Sequence, residues 1–310
     1  MRVLVTGGAG YIGSVLVPTL LQRGYQVTVV DRFMYGQTSL LDVCYSPDLT
    51  IVRGDARDRA LMAQVVPGQD LLIPLAALVG APLCAQNPAD ATSVNVGAVE
   101  TLLELRQPDQ MVIFPTTNSG YGIGENDIAC TEETPLRPIS LYGQTKCAAE
   151  ERVLQAGNAI TLRLATVFGV SPRMRLDLLV NDFTYRAVTD GYLVLFQAHF
   201  KRNYIHVRDV ALAFCHAIDH FPTMRDQPYN VGLSDANLSK LELCQRLQHH
   251  LPRFYFTEAE VGEDPDQRNY IVSNAKIEAT GYRPTYSIDH GIQELIRSFQ
   301  ILGRQHFSNV

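Results

Sequence analysis

Thr6-Gly7-Gly8-Ala9-Gly10-Tyr11-Ile12-Gly13 is the stretch on which the fold turns. It carries G-x-G-x-x-G through Gly8, Gly10 and Gly13, and G-x-x-G-x-x-G if the count starts at Gly7. A glycine motif alone is common, and its neighbours give it meaning. Arg2–Thr6 before it reads as an apolar strand, Ile12–Arg23 after it as a helix, and Gln26–Val30 as a second strand. Glycines in such a turn let the backbone approach a pyrophosphate, and the N–H groups at the helix start, from Tyr11 and Ile12 onward, face its negative charge. Asp31 closes the second strand, 18 residues beyond Gly13. A carboxylate there accepts hydrogen bonds from adenosine ribose hydroxyls and repels a 2′-phosphate, so the expected cofactor is NAD rather than NADP. Arg32, a cation beside it, is the residue that runs against this expectation.

Outward from the motif, β-rich runs alternate with helical patterns. Further strands are expected at Thr50–Val52, Leu71–Leu75, Met111–Phe114 and Ile160–Leu164, with helices at Ala91–Leu105 and Leu141–Leu154. This rhythm predicts an α/β fold: a Rossmann doubly wound parallel sheet covered on both faces. After about Gly169 the rhythm breaks. Arg202–Asp209 reads as a strand leading into the helix Val210–Asp219, with later helices at Lys240–His249 and Ile288–Gly303. The expected division is a nucleotide-binding domain of residues 1–170 plus about 204–232, and a smaller mixed substrate-binding lobe of about 171–203 plus 233–310. No low-complexity tether joins them.

The 310 residues are 46% hydrophobic, ample for a core, and the formal charge of −6 argues against a nucleic-acid binder. Six scattered cysteines form no C-x-x-C pair, so no metal site is expected. No apolar run has the length of a bilayer span and no leader is evident, which reads as a cytoplasmic protein.

Tyr142-Gly143-Gln144-Thr145-Lys146 places a phenol and an ammonium one helical turn apart on one face. A tyrosine is a poor base at neutral pH unless positive charge stabilises its phenolate. Lys146 and a nicotinamide ring are the expected sources of that charge, making Tyr142 the base that removes an alcohol proton as hydride leaves. Upstream, the strand Met111–Phe114 runs into the hydroxyl-rich Pro115-Thr116-Thr117-Asn118-Ser119-Gly120-Tyr121-Gly122. Ligands bind at such carboxyl ends in open α/β sheets.

Together these residues resemble the extended short-chain dehydrogenase/reductase family, and within it the NAD-dependent nucleotide-sugar epimerase/dehydratase branch. The resemblance rests on the glycine loop, Asp31, Gly54-Asp55, Leu75-Ala76-Ala77, Asn95, Thr117, Tyr142 and Lys146. It implies a catalytic Thr117, which hydrogen-bonds the reacting hydroxyl, beside Tyr142 and Lys146. It also implies cofactor contacts from Gly7, Gly10, Tyr11, Ile12, Gly13, Asp31, Asp55, Ala56, Leu75, Ala76, Ala77, Tyr142 and Lys146. Where the 4,6-dehydratases of the branch carry Asp-Glu, this chain has Asn118-Ser119, neither of which titrates near neutral pH, so dehydration is not expected. Substrate contacts are implied for Thr117, Asn118, Asn181, Arg202 and Arg268, with Arg173 and Arg175 as further candidates for the diphosphate; arginine's planar fork suits phosphate oxygens. His206 reads as structural.

Longer stretches are similar to a narrower group, the GDP-D-glycero-manno-heptose 4-dehydrogenases of capsule synthesis: Ile73–Pro82, Thr117–Gly122, Met174–Phe183 and Gly262–Asp266. That implies oxidation at sugar C4, with NADH recycled by a 2-oxo acid such as 2-oxoglutarate. A 4-epimerase would use the same catalytic residues, whereas a catalytically dead cofactor sensor usually loses the Tyr or Lys. The family habit also implies a homodimer paired through Ala91–Leu105 and Leu141–Leu154.

Overall fold

The computed structural model describes residues 1–124, 128–259 and 268–302. Seven strands form the central sheet in the order Gln227–Val231, Ala159–Leu164, Met111–Thr117, Leu71–Pro74, Arg2–Thr6, Gln26–Asp31 and Leu49–Arg53. Every neighbouring pair is parallel. The period of two along these strands sorts their side chains to two cores. Val3, Val5, Val27, Val29, Leu71, Ile73, Ile113 and Ile160 face one side, against Leu16, Val17 and Leu20 of the helix Gly13–Gln22 and Val210, Ala213 and Phe214 of the helix Val207–Asp219. Leu4, Val30, Leu72, Val112 and Phe114 face the other, against Met62, Val99, Leu102, Ala149 and Val153 on the helices Arg59–Val65, Ala98–Leu105 and Leu141–Ala156. Burial on both faces explains the unbroken apolar runs.

The strand order changes direction between Arg2–Thr6 and Leu71–Pro74, which opens a crevice above their carboxyl ends. Gly7 follows the first of these strands and Ala76 the second. Gly7 has φ +71°, and a Cβ built there would stand 2.6 Å from the backbone nitrogen of Ala76.

A smaller mixed sheet has three strands, Asn237–Ser239, Lys201–His206 and Thr166–Phe168, antiparallel then parallel, and so takes residues from both of the expected ranges. The chain shuttles between the sheets: Lys201–His206 lies in the small one and Gln227–Val231 edges the large one. Asp209, fully buried, fastens the later chain to this frame by accepting from the N–H groups of Thr285 and Tyr286 at 2.7 and 2.9 Å. Among the described residues no helix is long and apolar enough to cross a membrane.

The structure departs from sequence expectation in places that have local causes. The expected helix Ala91–Leu105 is broken into Pro88–Thr92, a π turn at Ser93–Gly97 and Ala98–Leu105. The π turn carries buried Asn95, whose amide bonds Leu78 and Thr145. The helix expected from Val210 starts at Val207, because the His206 ring accepts from the Arg208 N–H at 3.2 Å and caps it. The expected strand Met111–Phe114 continues to Thr117, paired residue by residue with Ala159–Leu164. The strand Gln227–Val231 was not foreseen; its Pro228 is tolerated because this is an edge strand.

The close approach at Gly7 has a measurable consequence. Gly7→Ala forces a left-handed backbone on a residue with a Cβ and drives that atom into Ala76. Urea denaturation of the cofactor-free protein is expected to show a loss of at least about 1–2 kcal/mol. Unchanged stability would show that the two turns are not in contact.

Candidate active site

At the crevice, the Gly7 N–H donates to the Val30 carbonyl at 2.7 Å and the Gly10 N–H to the Gly7 carbonyl at 3.1 Å. Gly13 opens the helix so close to the turn that a Cβ there would stand 2.5 Å from the Gly8 carbonyl oxygen. Ile12 is the helix cap residue, and Tyr11 before it adds what its motif position did not announce. Its buried phenol donates to the Gly169 carbonyl at 2.6 Å and accepts from Asn181 at 3.3 Å, tying the turn to the second half of the chain.

Asp31 stands beside this turn. Its carboxylate accepts from the N–H groups of Ala9 at 3.0 Å and Phe33 at 2.8 Å, and from Gln37 at 3.3 Å. Burial pushes its pKa above the usual carboxylate range, against the lowering effect of those N–H groups and of Arg173. Arg32 is turned to Asp55, with Nε 3.5 Å from its carboxylate. Asp55 is held at 2.7 Å by Arg57, which keeps its pKa low, and Ala56 beside it is buried. On the other wall Leu75 donates to the Thr6 carbonyl at 2.9 Å and Ala76 to the Thr6 hydroxyl at 3.4 Å, and Ala77 continues the segment. Asn95 braces this wall: it accepts from the Leu78 N–H at 2.8 Å and donates to the Leu78 carbonyl and the Thr145 hydroxyl.

Thr117 ends the strand Met111–Thr117. Its hydroxyl accepts from the Ser119 N–H at 3.1 Å and lies 3.0 Å from the Ser119 hydroxyl. Tyr142, half-buried in the first turn of the helix Leu141–Ala156, shares a hydrogen bond with Thr117. Burial raises the Tyr142 pKa; Arg175, Arg268 and the Thr117 bond act the other way. Burial outweighs the positive charges, of which those bearing most on the phenol come from these two arginines. Lys146 itself is buried, its ammonium 3.9 Å above the Phe114 ring, and burial pushes its pKa down to about 7 against the opposing effect of Glu150.

Asn118 is 1% exposed, and neither atom of its amide has a hydrogen-bond partner among the described residues. Leaving such a group bare is costly, so its place beside Thr117 points to a polar ligand. The Ser119 hydroxyl accepts from the Arg268 guanidinium, which reaches the site from the second lobe. Arg175 is buried and paired with Asp177 at 2.5 Å. Arg173 lies 4.4 Å above the Tyr35 ring and bears on Asp31. Arg202 is buried in the strand Lys201–His206 and, with Arg268, bears on the Tyr204 phenol. The Asn181 amide accepts from the Gly169 N–H at 3.0 Å and donates to the Arg175 carbonyl at 2.9 Å and the Tyr11 phenol, so here it braces the loop that carries Arg175.

Arg175, Arg268, Thr117 and Tyr142 thus come together, with Asn118 and Ser119 beside them. His206 caps a helix and bonds Glu294 at 2.8 Å. Sequence reasoning missed Ser119 as the anchor of Arg268, and the buried pair Glu150–Arg163 behind Lys146. For the pair there was a signal: a carboxylate four residues after Lys146 on a helix face that must be buried. Gly262–Asp266 lies outside the described residues. Among the described residues no group of His, Cys, Asp and Glu could hold a metal ion.

The chain is similar to known proteins over nearly its whole length. Agl12, a low-salt glycan biosynthesis protein of Haloferax volcanii, is 28% identical over 96% of this chain and 97% of its own. The UDP-glucose 4-epimerase of Lactobacillus helveticus is 27% identical over 92% of this chain and 93% of its own. The crystal structure of the UDP-glucose 4-epimerase of Thermus thermophilus in complex with NAD superposes with a TM-score of 0.83 at 26% identity, covering 97% of this chain and 99% of that one. The model of one family matches residues 3–232, and the chain belongs to it: the NAD dependent epimerase/dehydratase family.

Proposed function

We propose that this protein is an NAD-dependent oxidoreductase that oxidises the C4 hydroxyl of a nucleotide-activated sugar. The observation that carries this reading is the meeting of Thr117, Tyr142 and two arginines over a crevice whose floor admits no side chain at Gly7 or Gly13. The residues fit the cofactor. Gly7, Gly10, Tyr11, Ile12 and Gly13 would cradle its pyrophosphate, Asp31 its adenosine ribose, and Asp55 with Ala56 its adenine. Leu75, Ala76 and Ala77 would form the facing wall. When bound, NAD⁺ accepts the hydride from the sugar carbon.

The protein's own residues manage the proton. Thr117 holds the reacting oxygen and Tyr142 Oη takes its proton. Arg175 and Arg268 stabilise the phenolate that must exist for this to happen. Lys146, one turn further along, supports the same phenolate once charged and holds the nicotinamide ribose. Arg268, Arg202 and Arg175 bring positive charge for the diphosphate, with Asn181 holding the Arg175 loop. Asn118 offers a donor and an acceptor to a sugar hydroxyl. With Asn118 and Ser119 where a dehydratase needs an acid and a base, the reaction stops at the ketone or returns from it.

Two outcomes follow from that ketone. The stretches Ile73–Pro82 and Met174–Phe183 favour its release, with GDP-D-glycero-manno-heptose as substrate. A 2-oxo acid such as 2-oxoglutarate would then take up the hydride and a proton and leave as the 2-hydroxy acid. The relatives favour 4-epimerisation, in which the sugar takes its hydride back. Incubation with GDP-, UDP- and dTDP-sugars, with and without 2-oxoglutarate, separates them by mass spectrometry: a stable ketone that accumulates only with the oxo acid supports the first. No turnover of any nucleotide sugar would overturn both. A homodimer through the helices Ala98–Leu105 and Leu141–Ala156 belongs to the same proposal, and a strictly monomeric species in sedimentation would remove it.

Cofactor choice follows from Asp31 and from the turning of Arg32 toward Asp55. NAD(H) is expected to bind far better than NADP(H), and Asp31→Ala to lose that preference in titration calorimetry.

Tyr142→Phe is expected to lower kcat by roughly two to four orders of magnitude, with NAD and substrate binding retained. Thr117→Val costs less, since the proton acceptor stays. Because burial raises the Tyr142 pKa, the wild-type rate should climb with pH through the neutral range toward the ionisation of the phenol. Near-normal turnover by Tyr142→Phe would falsify the assignment.

A further inference from the structure

Behind the catalytic helix lies a buried ion pair that the proton transfer above does not use. Arg163, on the strand Ala159–Leu164, donates from Nε at 2.8 Å and from Nη2 at 2.6 Å to a single oxygen of Glu150. The two side chains are 7% and 3% exposed. Taking two charges out of water is expensive, and their mutual attraction alone seldom recovers the cost. The other Glu150 oxygen is buried and has no hydrogen-bond partner among the described residues. Lys146 stands four residues earlier on the same buried face of the helix.

The pair is also locked from behind. Arg163 donates to the Tyr121 phenol at 3.1 Å and to the Glu132 carbonyl at 3.1 Å. Tyr121 donates in turn to Asn230 at 2.7 Å, and Asn230 donates to the Ser273 carbonyl at 3.1 Å. The Arg163 guanidinium is thus fixed by its own strand, by the Tyr121 phenol and by the Glu132 carbonyl, and it holds the Glu150 carboxylate.

We propose that Glu150, held by Arg163 one helical turn from Lys146 on the same buried face, is a positioning residue whose negative charge supports the Lys146 ammonium behind Tyr142. This rests on the function proposed above, which gives Lys146 its role. Lys146 otherwise packs against the Phe114 ring, which attracts a cation only modestly. The titratable and charged groups that bear on the three residues are few. Cys147 neighbours both Lys146 and Glu150 on the same helix, and its thiol is pushed up to about 12 by burial and by Glu150. Tyr121, the Glu132 segment and Lys276 bear on Arg163 from the other side. Glu150 is the anion that opposes the loss of the Lys146 proton.

The chain has four lysines, Lys146, Lys201, Lys240 and Lys276, so a lysine-selective NMR experiment carries few signals. With ¹³C-labelled lysine and Lys146→Arg for assignment, the cofactor-free protein should show Lys146 titrating near neutrality. Glu150→Gln keeps an oxygen for Arg163 and removes only the charge. It should move the midpoint down by about one unit or more, the effect of an opposite charge at close range. Turnover at pH 7 should then fall about fivefold, with a partial return at lower pH. Should Glu150→Gln not fold, Glu150→Asp carries the test, its withdrawn carboxylate moving the midpoint the same way by a smaller step. A Lys146 midpoint unchanged in either soluble variant overturns the proposal and leaves the pair a structural cross-link, even if melting temperature falls. Since the titration involves no substrate, it stands apart from the Tyr142→Phe result.

Discussion

Backbone meets backbone at Gly7 and Ala76, too closely for a single methyl group to lie between them. That constraint orders the rest of the molecule. It fixes the spacing of the two strands at which the sheet reverses direction, and so the width of the crevice above them. Asp31 reaches the glycine turn through the Ala9 N–H, and Asn95 holds the Ala76 segment against the catalytic helix through Leu78 and Thr145. The segment after Leu71–Pro74 and the helix that bears Tyr142 are therefore braced by one amide.

The electrostatics of the site are arranged by depth rather than by sequence spacing. Tyr142 and Lys146 share a helix face, yet burial disfavours the charged form of each. Each is supported by groups from elsewhere in the chain. The arginines that oppose burial at Tyr142 come from the loop before the helix Leu179–Thr189 and from Arg268 beyond it. The anion that opposes it at Lys146 is held by a strand of the central sheet. A phenol and an ammonium that look self-sufficient in sequence depend for any charge they carry on groups elsewhere in the chain.

Much of the frame was legible in the sequence because its signals are local. The glycine turn, Asp31 and the first two strands occupy a single βαβ unit, and the apolar runs of the central strands follow from burial on both faces. In the candidate site, motif position anticipated the meeting of Thr117 and Tyr142, which share a hydrogen bond. What escaped was set by tertiary contact. Nothing near Arg32 says that Asp55 will draw it aside, and nothing near Arg268 says that Ser119 will hold it. The strand Gln227–Val231 was hidden by its proline, which only an edge position excuses. The break in the helix after Ala91 came from the demands of Asn95, a residue whose partners lie 17 and 50 positions away.

That break has a consequence for how the chain can change over evolutionary time. A π turn is an α-helix holding one residue too many, and the surplus is what swings Asn95 inward. Substitutions on the outer side of this helix should be absorbed without trouble. Loss of a single residue between Thr92 and Ala98 would instead let the helix relax to its regular form and rotate everything before the gap by about 100°. Asn95 would turn away from Leu78. In a lineage that drifts freely in sequence, the length of this segment is held by the two partners of Asn95.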